Sequence, residues 1–191
     1  MAKLSADLQA LTEGETPLTL GQVLATAGDR TFGMLFVLLA LPSALPVPAP
    51  GYSTPFGVVL LILALQWLVG RASPWLPPAV RDRPIARPAL AAILTKALPW
   101  LHRLERLAKP RLRQVCTTGR GAVAVTVALM AALMILPIPG TNTVPAMGIL
   151  VTGFGLLAED GVIVLAGFGL SLAFLTALAL AIAGLVSLVR P

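Results

Sequence analysis

Two clusters of prolines interrupt the apolar part of this chain, and they constrain its fold more than any other feature. The first break covers residues 45–57 and the second covers 136–148. About four turns of apolar helix precede each break, and another apolar stretch follows it. Gly57 is thirteen positions before Gly70, and Gly148 is thirteen positions before Gly161. The pattern predicts an internal duplication, in which each repeat is a helical hairpin folded about its break.

The composition is that of an integral membrane protein. Hydrophobic residues make up 57% of the chain and charged residues 12%, and the mean hydropathy is +0.90, whereas about a quarter of the residues of a soluble domain are charged. At 191 residues the chain is expected to form a single membrane domain. The domain is expected to be all-α. It begins with an amphipathic N-terminal segment (1–30) and a first hairpin repeat (31–71). A basic Pro-rich connection with an amphipathic helix (72–120), a second hairpin repeat (121–161) and a C-terminal transmembrane helix (162–190) follow.

The hairpin arms are short for membrane crossings. The first arm, 31–45, is about 22 Å long at 1.5 Å per residue, whereas the hydrocarbon core is about 30 Å thick. The arms at 56–69, 122–136 and 146–157 are similar. Two short arms around a Pro/Gly break favour a re-entrant hairpin, whose broken backbone must be shielded from lipid by protein or water. The alternative is one kinked crossing per arm.

The remaining segments place the ends of the molecule. Residues 4–11 and 19–27 are predicted to be short amphipathic helices, the second with Thr19 as N-cap and Gly28 as its stop. Residues 162–189 contain no charge and are long enough for one tilted transmembrane helix. The small residues of that helix favour close helix packing or a homodimer.

Charge is concentrated in the middle of the chain. Eleven of the fourteen Lys and Arg lie between Arg71 and Arg120, in a segment that membrane-embedded stretches bracket. The positive-inside rule predicts that 71–120 is cytoplasmic and faces anionic membrane lipids. Nucleic-acid binding is not expected, because stacking aromatics and binding motifs are absent.

Several motifs occur in order along the chain and resemble those of a known family. They are Arg30-Thr31-Phe32-Gly33, Leu41-Pro42, the turn 46–54, Leu65-Gln66, Gly70-Arg71, Pro74-Trp75-Leu76-Pro77, Leu98-Pro99-Trp100-Leu101, Pro110-Arg111, Leu136-Pro137-Ile138-Pro139, Asn142, Pro145 and Glu159-Asp160-Gly161. Over residues 18–186 the chain is similar to the exopolysaccharide synthesis ExoD family of bacterial inner-membrane proteins. The resemblance implies a multi-pass inner-membrane protein with a role in exopolysaccharide production and alkali tolerance. It implies no assigned reaction and no catalytic residues.

The polar residues of the breaks form the predicted ion- or substrate-binding site. Two helix N-termini that point into the membrane would present N–H groups and positive dipole ends to an anion, as the discontinuous helices of many transporters do. The alternative is that these residues only cap helices and satisfy the turn backbone. Glu159 and Asp160 would form a proton or cation site, or would end an arm and meet arginines of the basic segment. The candidate residues are Ser53, Thr54, Gln66, Thr141, Asn142, Thr143, Glu159 and Asp160.

The first functional hypothesis is a transporter-like protein that binds an ion or an anionic envelope precursor between the hairpins. The second is a non-catalytic accessory or scaffold protein that holds polysaccharide-assembly proteins through the basic segment. Catalysis is not expected, because no metal constellation or phosphate-cradling glycine loop is found, and no cofactor is implied. Both hairpins entering from one side would be parallel repeats, whereas an inverted pair needs an odd number of crossings between corresponding elements.

Overall fold

A computed structural model describes residues 18–45, 52–85, 95, 112–136 and 142–189 of the chain. The fold is all-helical apart from one two-residue strand pair, and it carries one long apolar C-terminal helix, as the sequence predicts. The predicted helix at 4–11, residues 86–94 and 96–111 of the basic segment, and residues 46–51 and 137–141 of the two breaks lie outside the described residues.

The described part of the chain begins with a short strand and continues mainly as helices. In chain order the elements are β1 (Leu18–Thr19), α1 (Leu20–Ala27), a 3-10 turn (Gly28–Arg30), α2 (Thr31–Ala44), α3 (Thr54–Leu68), α4 (Pro78–Arg81), β2 (Pro84–Ile85), α5 (Arg113–Thr117), α6 (Arg120–Ile135), α7 (Thr143–Leu157) and α8 (Gly161–Val189). The strands pair antiparallel and fasten the start of α1 to the connection that follows α4.

The start and end of α1 are those that the sequence predicts. Thr19 caps the helix by a capping box: its hydroxyl accepts from Gln22 N, and the Gln22 side chain accepts from Thr19 N at 2.8 Å. Gly28 ends the helix at a φ of 52°, a conformation that a residue without Cβ adopts without strain.

Pro42 lies inside α2, and the helix ends close to residue 45, where the sequence places the end of the arm. The helix continues through Pro42 to Ala44. A proline inside a helix removes one backbone hydrogen bond and crowds the preceding turn. Here the penalty is offset by burial on both sides of it, since Ala40 is fully buried and Ser43 is only 3% exposed.

The core of the described chain consists of four short apolar helices that pack in two pairs, and each pair joins a helix of the first half of the chain to a helix of the second half. The most extensive contacts are those of α2 with α7 and of α3 with α6. Both pairs are antiparallel, because Gly33 near the start of α2 lies against Leu157 at the end of α7, and Gly57 near the start of α3 lies against Ile135 at the end of α6. Large side chains such as Phe36 and Met130 are completely buried between the four helices.

The four helices share two ends. At one end the Phe32 and Phe36 rings of α2 lie 6.4 and 6.0 Å from the Trp67 ring near the end of α3. At the other end Thr54, at the start of α3, donates a hydrogen bond from Oγ1 to the Ile135 carbonyl at the end of α6. The chain therefore leaves α2 and α6 for the two breaks at the same end of the bundle.

α8 packs along α7 for about half of its length. Gly155, Thr152 and Gly148 of α7 lie against Val164, Gly167 and Ser171 of α8, in a constant antiparallel register. Beyond this contact the helix protrudes, and every described residue from 179 to 188 is exposed. Within the described residues, α8 is the one straight helix that is long and apolar enough to cross a bilayer, since α3, α6 and α7 have only 15 or 16 residues.

Candidate functional site

An ion pair joins the start of α2 to the end of α7. Arg30 Nε donates to Glu159 Oε1 at 3.1 Å, and the two side chains are 20% and 18% exposed. Glu159 has a φ of 53°, in the turn that carries the chain from α7 into α8. Arg30, which lies outside the basic segment 71–120, is thus one partner of Glu159.

Arg120 stands at the start of α6, as Arg30 stands at the start of α2. Its Nε donates to the Trp67 carbonyl at 2.8 Å, its Nη2 donates to the Arg71 carbonyl, and its guanidinium carbon lies 5.4 Å from the centre of the Trp67 ring. The last carbonyls of a helix have no partner within the helix and carry its negative dipole end. Arg120 donates hydrogen bonds to two carbonyls at and just after the end of α3 and adds positive charge there. The Trp67 ring adds a cation–π contact.

These residues border a cavity of about 340 Å³ at this end of the bundle, which we call the arginine end. The cavity is lined by Arg30, Phe32, Gly33, Trp67, Arg71, Ala72, Cys116, Arg120, Leu156 and Glu159. Three arginines and one glutamate give the lining a formal charge of +2. Within the described ranges, no carboxylate lies within 4.0 Å of a nitrogen of Arg71 or Arg120. Guanidinium groups in such a setting recognise phosphate and carboxylate.

Asp160 belongs to the start of α8 rather than to the cavity. Its side chain is 5% exposed, and its Oδ1 accepts a hydrogen bond from Val162 N at 2.9 Å. A carboxylate in this position satisfies one of the first N–H groups of the helix and complements its positive dipole end.

Gln66 also lies at the arginine end and holds the connection that leaves α3. Its Nε2 donates to the Trp75 carbonyl at 3.2 Å, and its Oε1 accepts from Trp75 N at 2.5 Å. Gln66 is twelve residues beyond Thr54, which is about 18 Å along α3. The structure therefore keeps Gln66 apart from the polar residues of the breaks.

A second cavity, of about 530 Å³, lies between α1 and this connection. Gly21 and Leu24 border it on one side and Arg71 to Leu76 on the other. Arg81 reaches its rim, where its Nε donates to Asp82 Oδ1 at 2.9 Å. That hydrogen bond raises the pKa of Arg81 above its usual value, because it stabilises the cationic form of this exposed side chain.

The predicted polar residues of the breaks lie at the opposite end of the bundle, which we call the break end. Ser53 is 5% exposed and stands at the N-cap position of α3, and Asn142 stands at the N-cap position of α7. Neither side chain caps its helix by a hydrogen bond. Thr143 is half-buried, and Thr141 lies outside the described residues.

Two buried side-chain oxygens lie at the break end. Asn142 Oδ1 and Ser43 Oγ are inaccessible to solvent and have no hydrogen-bond partner in the described part of the chain. Burial of an unpaired polar group costs about 1–3 kcal/mol. Ser43 and the arginines of the arginine end were not among the residues predicted from the sequence. The available signals were the Pro42-Ser43 pair one turn before the break and the Gly-Arg pairs at positions 70–71 and 119–120, which flank the arms.

Metal binding has no visible basis in the described ranges, which hold no group of three His, Cys, Asp or Glu side chains suited to an ion.

Comparison with known proteins identifies the family. Residues 4–180 match the family described as Exopolysaccharide synthesis, ExoD. The chain is 48% identical over 172 residues to an uncharacterised protein of Synechocystis sp. (strain PCC 6803), which covers 87% of this chain and 81% of that protein. It is 33% identical over 158 residues to Protein ExoD of Rhizobium meliloti (strain 1021), and this alignment covers 79% of the chain and 65% of that protein. No solved structure matches. The sequence resemblance is thereby confirmed, and the chain belongs to the ExoD family, which is linked to exopolysaccharide synthesis.

Proposed function

We propose that the chain is a transporter-like protein of the bacterial inner membrane that binds an ion or the anionic group of an envelope precursor at the break end. In this role it contributes to exopolysaccharide production and alkali tolerance without catalysing a reaction. The observation that carries the proposal is the convergence of both breaks at one end of the bundle, which the hydrogen bond from Thr54 to the Ile135 carbonyl joins.

The depth of the breaks supports re-entrant hairpins. When the register of α7 on α8 is continued to the start of α7, Thr143 lies level with residue 176 of α8. Residue 176 is about 22 Å from the start of α8 at 1.5 Å per residue. The 29 residues of α8 span about 43 Å. If a hydrocarbon core of about 30 Å is centred on α8, the breaks lie about 15 Å inside it, near the midplane.

The pattern of burial supports two repeats. The inward-facing residues Phe32, Gly33, Phe36, Ala40 and Ser43 of α2 are buried. Ninety-one positions later, Val123, Ala124, Val127, Ala131 and Met134 of α6 are buried as well. The same spacing relates Gly57 to Gly148. Because both breaks lie at one end, the two hairpins are parallel repeats that enter from the same side.

The chemistry of the break end favours an anion or a polar headgroup. The N-termini of α3 and α7 both lie at this end without side-chain caps, and such N-termini attract negative charge. Asn142 Oδ1 and Ser43 Oγ, which have no hydrogen-bond partner among the described residues, add acceptors, and the Ser43 hydroxyl is also a donor. In a transporter these groups are expected to exchange hydrogen bonds with the bound group, which would relieve the cost of their burial.

The orientation follows from charge. Arg71 and Arg120 stand at the arginine end, and the basic segment 71–120 extends from it. The positive-inside rule makes this end cytoplasmic, so both hairpins enter from the cytoplasm and the exposed part of α8 continues toward the opposite surface. Membrane lipids are then the expected neighbours of exposed apolar residues such as Leu180, which is 69% exposed.

Reconstitution into liposomes tests the proposal. Purified protein is expected to move ions or lipid-linked phosphate across the bilayer at a rate that depends on pH. Asn142→Leu should abolish the movement, because it removes the buried amide. Thr176→Val is the matched control, since the Thr176 hydroxyl only bonds the Leu172 carbonyl on an exposed face. A wild-type protein that moves neither ions nor lipid-linked phosphate from acidic to alkaline pH contradicts the proposal.

The alternative function is an accessory protein that holds polysaccharide-assembly proteins at the cytoplasmic face. The exposed charged turn Arg81-Asp82-Arg83 favours it, because these side chains are available to a partner. Arg87, Arg103 and Arg106 of the same basic segment lie outside the described residues. Loss of exopolysaccharide in an Arg81→Gln, Arg83→Gln double variant, with normal production in Asn142→Leu, would favour this alternative over transport.

A further inference from the structure

We propose that the cavity of the arginine end is a separate binding site for a phosphate or diphosphate group, which the guanidiniums of Arg71, Arg120 and Arg30 hold. The site lies at the opposite end of the hairpins from the breaks, about 20 Å away along arms of 14 to 16 residues. It does not depend on transport, because binding at equilibrium requires only the folded bundle.

The cavity brings cationic groups together from distant parts of the chain. Arg30 precedes α2, Arg71 follows α3, and Arg120 begins α6, yet all three line one space of about 340 Å³. At about 30 Å³ for each water in the liquid, such a space holds roughly ten waters, so a diphosphate fits with some of its hydration. The net lining charge of +2 suits an anion with more than one negative charge.

Two of the three guanidiniums, those of Arg30 and Arg120, are held in place before any ligand arrives. Arg120 is fixed by the Trp67 and Arg71 carbonyls and by the Trp67 ring. A guanidinium has five N–H donors, and these two carbonyls occupy Nε and Nη2. Within the described residues Arg120 donates only these two hydrogen bonds, so its remaining donors can bind phosphate oxygens. The Arg71 side chain is exposed beside it, so it can move to meet a ligand at little structural cost.

Glu159 occupies the place of an anion beside Arg30. Its carboxylate accepts from Arg30 Nε within the same cavity. A bound phosphate would compete with this carboxylate for Arg30 and would be repelled by its charge. Removing the charge of Glu159 should therefore strengthen anion binding, which is the opposite of the effect expected if Glu159 only served to keep the site folded.

Isothermal titration calorimetry of the purified protein in a non-ionic detergent tests the site. The probes are inorganic phosphate, inorganic pyrophosphate and short-chain phosphatidic acid, with short-chain phosphatidylcholine as the zwitterionic lipid control. Arg71→Gln and Arg120→Gln should each weaken binding by about tenfold, or about 1.4 kcal/mol. Arg83→Gln removes the same charge from an exposed residue outside the cavity lining, and it should leave the affinity within about twofold.

Cys116 provides a second readout that needs no added reporter. It is the single cysteine of the chain and lines the cavity, so an occupied site should slow its reaction with a neutral maleimide. Pyrophosphate should protect Cys116 in the wild-type protein, and the same protection in Arg71→Gln should require about tenfold more pyrophosphate. Since the Arg71 side chain is exposed, this variant is expected to fold even if Arg120→Gln does not.

Binding of inorganic phosphate or pyrophosphate would identify a soluble phosphate as the ligand, whereas binding of phosphatidic acid alone would identify a lipid headgroup. Either result, together with the expected effects of the variants, supports the site. Tighter binding by about threefold in Glu159→Gln supports the competition by its carboxylate. Equal weakening in Arg71→Gln and Arg83→Gln, or the absence of both saturable heat and Cys116 protection with every probe, overturns the proposal.

Discussion

The crossing of α2 and α7 depends on two glycines, and adding one methyl group there should destabilise the protein. A Cβ on Gly153 would lie 2.9 Å from Phe36 Cβ, 3.0 Å from Val37 N and 3.1 Å from the Gly33 carbonyl oxygen. Ordinary contacts of a Cβ are 3.4–4 Å. Two of the three neighbours are backbone atoms, so the helices themselves must separate by several tenths of an ångström.

The cost of Gly153→Ala is the difference between two effects. Overpacking of a tight contact costs about 1–3 kcal/mol, and separated helices lose dispersion contacts along the crossing. Replacing glycine by alanine in a helix contributes about 0.5–1 kcal/mol in the other direction. The net expectation is a destabilisation of about 1–2 kcal/mol, or a fall in Tm of about 2–8 °C for a chain of this size.

Thermal unfolding in mild detergent, followed by circular dichroism, measures the effect. Gly169→Ala in α8 is the control, because a Cβ there meets no atom within 4 Å, and it should leave the Tm unchanged or raise it. Gly33→Ala should be at least as damaging as Gly153→Ala, since its Cβ would lie 2.7 Å from Leu157 N. A Gly153→Ala protein that is as stable as Gly169→Ala would refute the close crossing of α2 and α7.

Two further predictions concern the arginine end. In a double-mutant cycle of Arg30→Gln and Glu159→Gln, the unfolding free energies should show a coupling of about 1 kcal/mol, because the pair is largely shielded from water; a coupling of zero would contradict the ion pair. Gln66→Leu should release the connection after α3 by removing two hydrogen bonds to Trp75, at a cost of about 1–3 kcal/mol; it should speed limited proteolysis there, and an unchanged cleavage rate would count against this anchor.

Local signals in the sequence predicted the elements well. The capping box of Thr19 and Gln22 is encoded within four residues, and the uncharged run of α8 identifies itself by length and composition. The arms were also found, because prolines and glycines interrupt the apolar pattern on both sides of them. That α2 continues through Pro42 depends on tertiary packing, which local signals do not show.

The site was harder to predict, because it depends on how the arms pair. The crosswise packing brings Arg30 to Glu159 across 129 positions of the chain and Arg120 to the end of α3. A fully apolar helix has no polar face to show which neighbour it meets, so the sequence left the pairing undetermined. Gln66 illustrates the result: the sequence shows a polar residue in an apolar arm, but only the fold shows that it contacts Trp75.

Cysteine labelling can establish whether both breaks lie together inside the membrane. With Cys116 replaced by alanine, single cysteines at Ser53, Asn142 and Arg83 are exposed to a bulky membrane-impermeant maleimide from each side of the membrane. We expect the reagent to label the Arg83 position from the cytoplasmic side and to label neither break position from either side. Free labelling of Ser53→Cys and Asn142→Cys by the bulky reagent would contradict it.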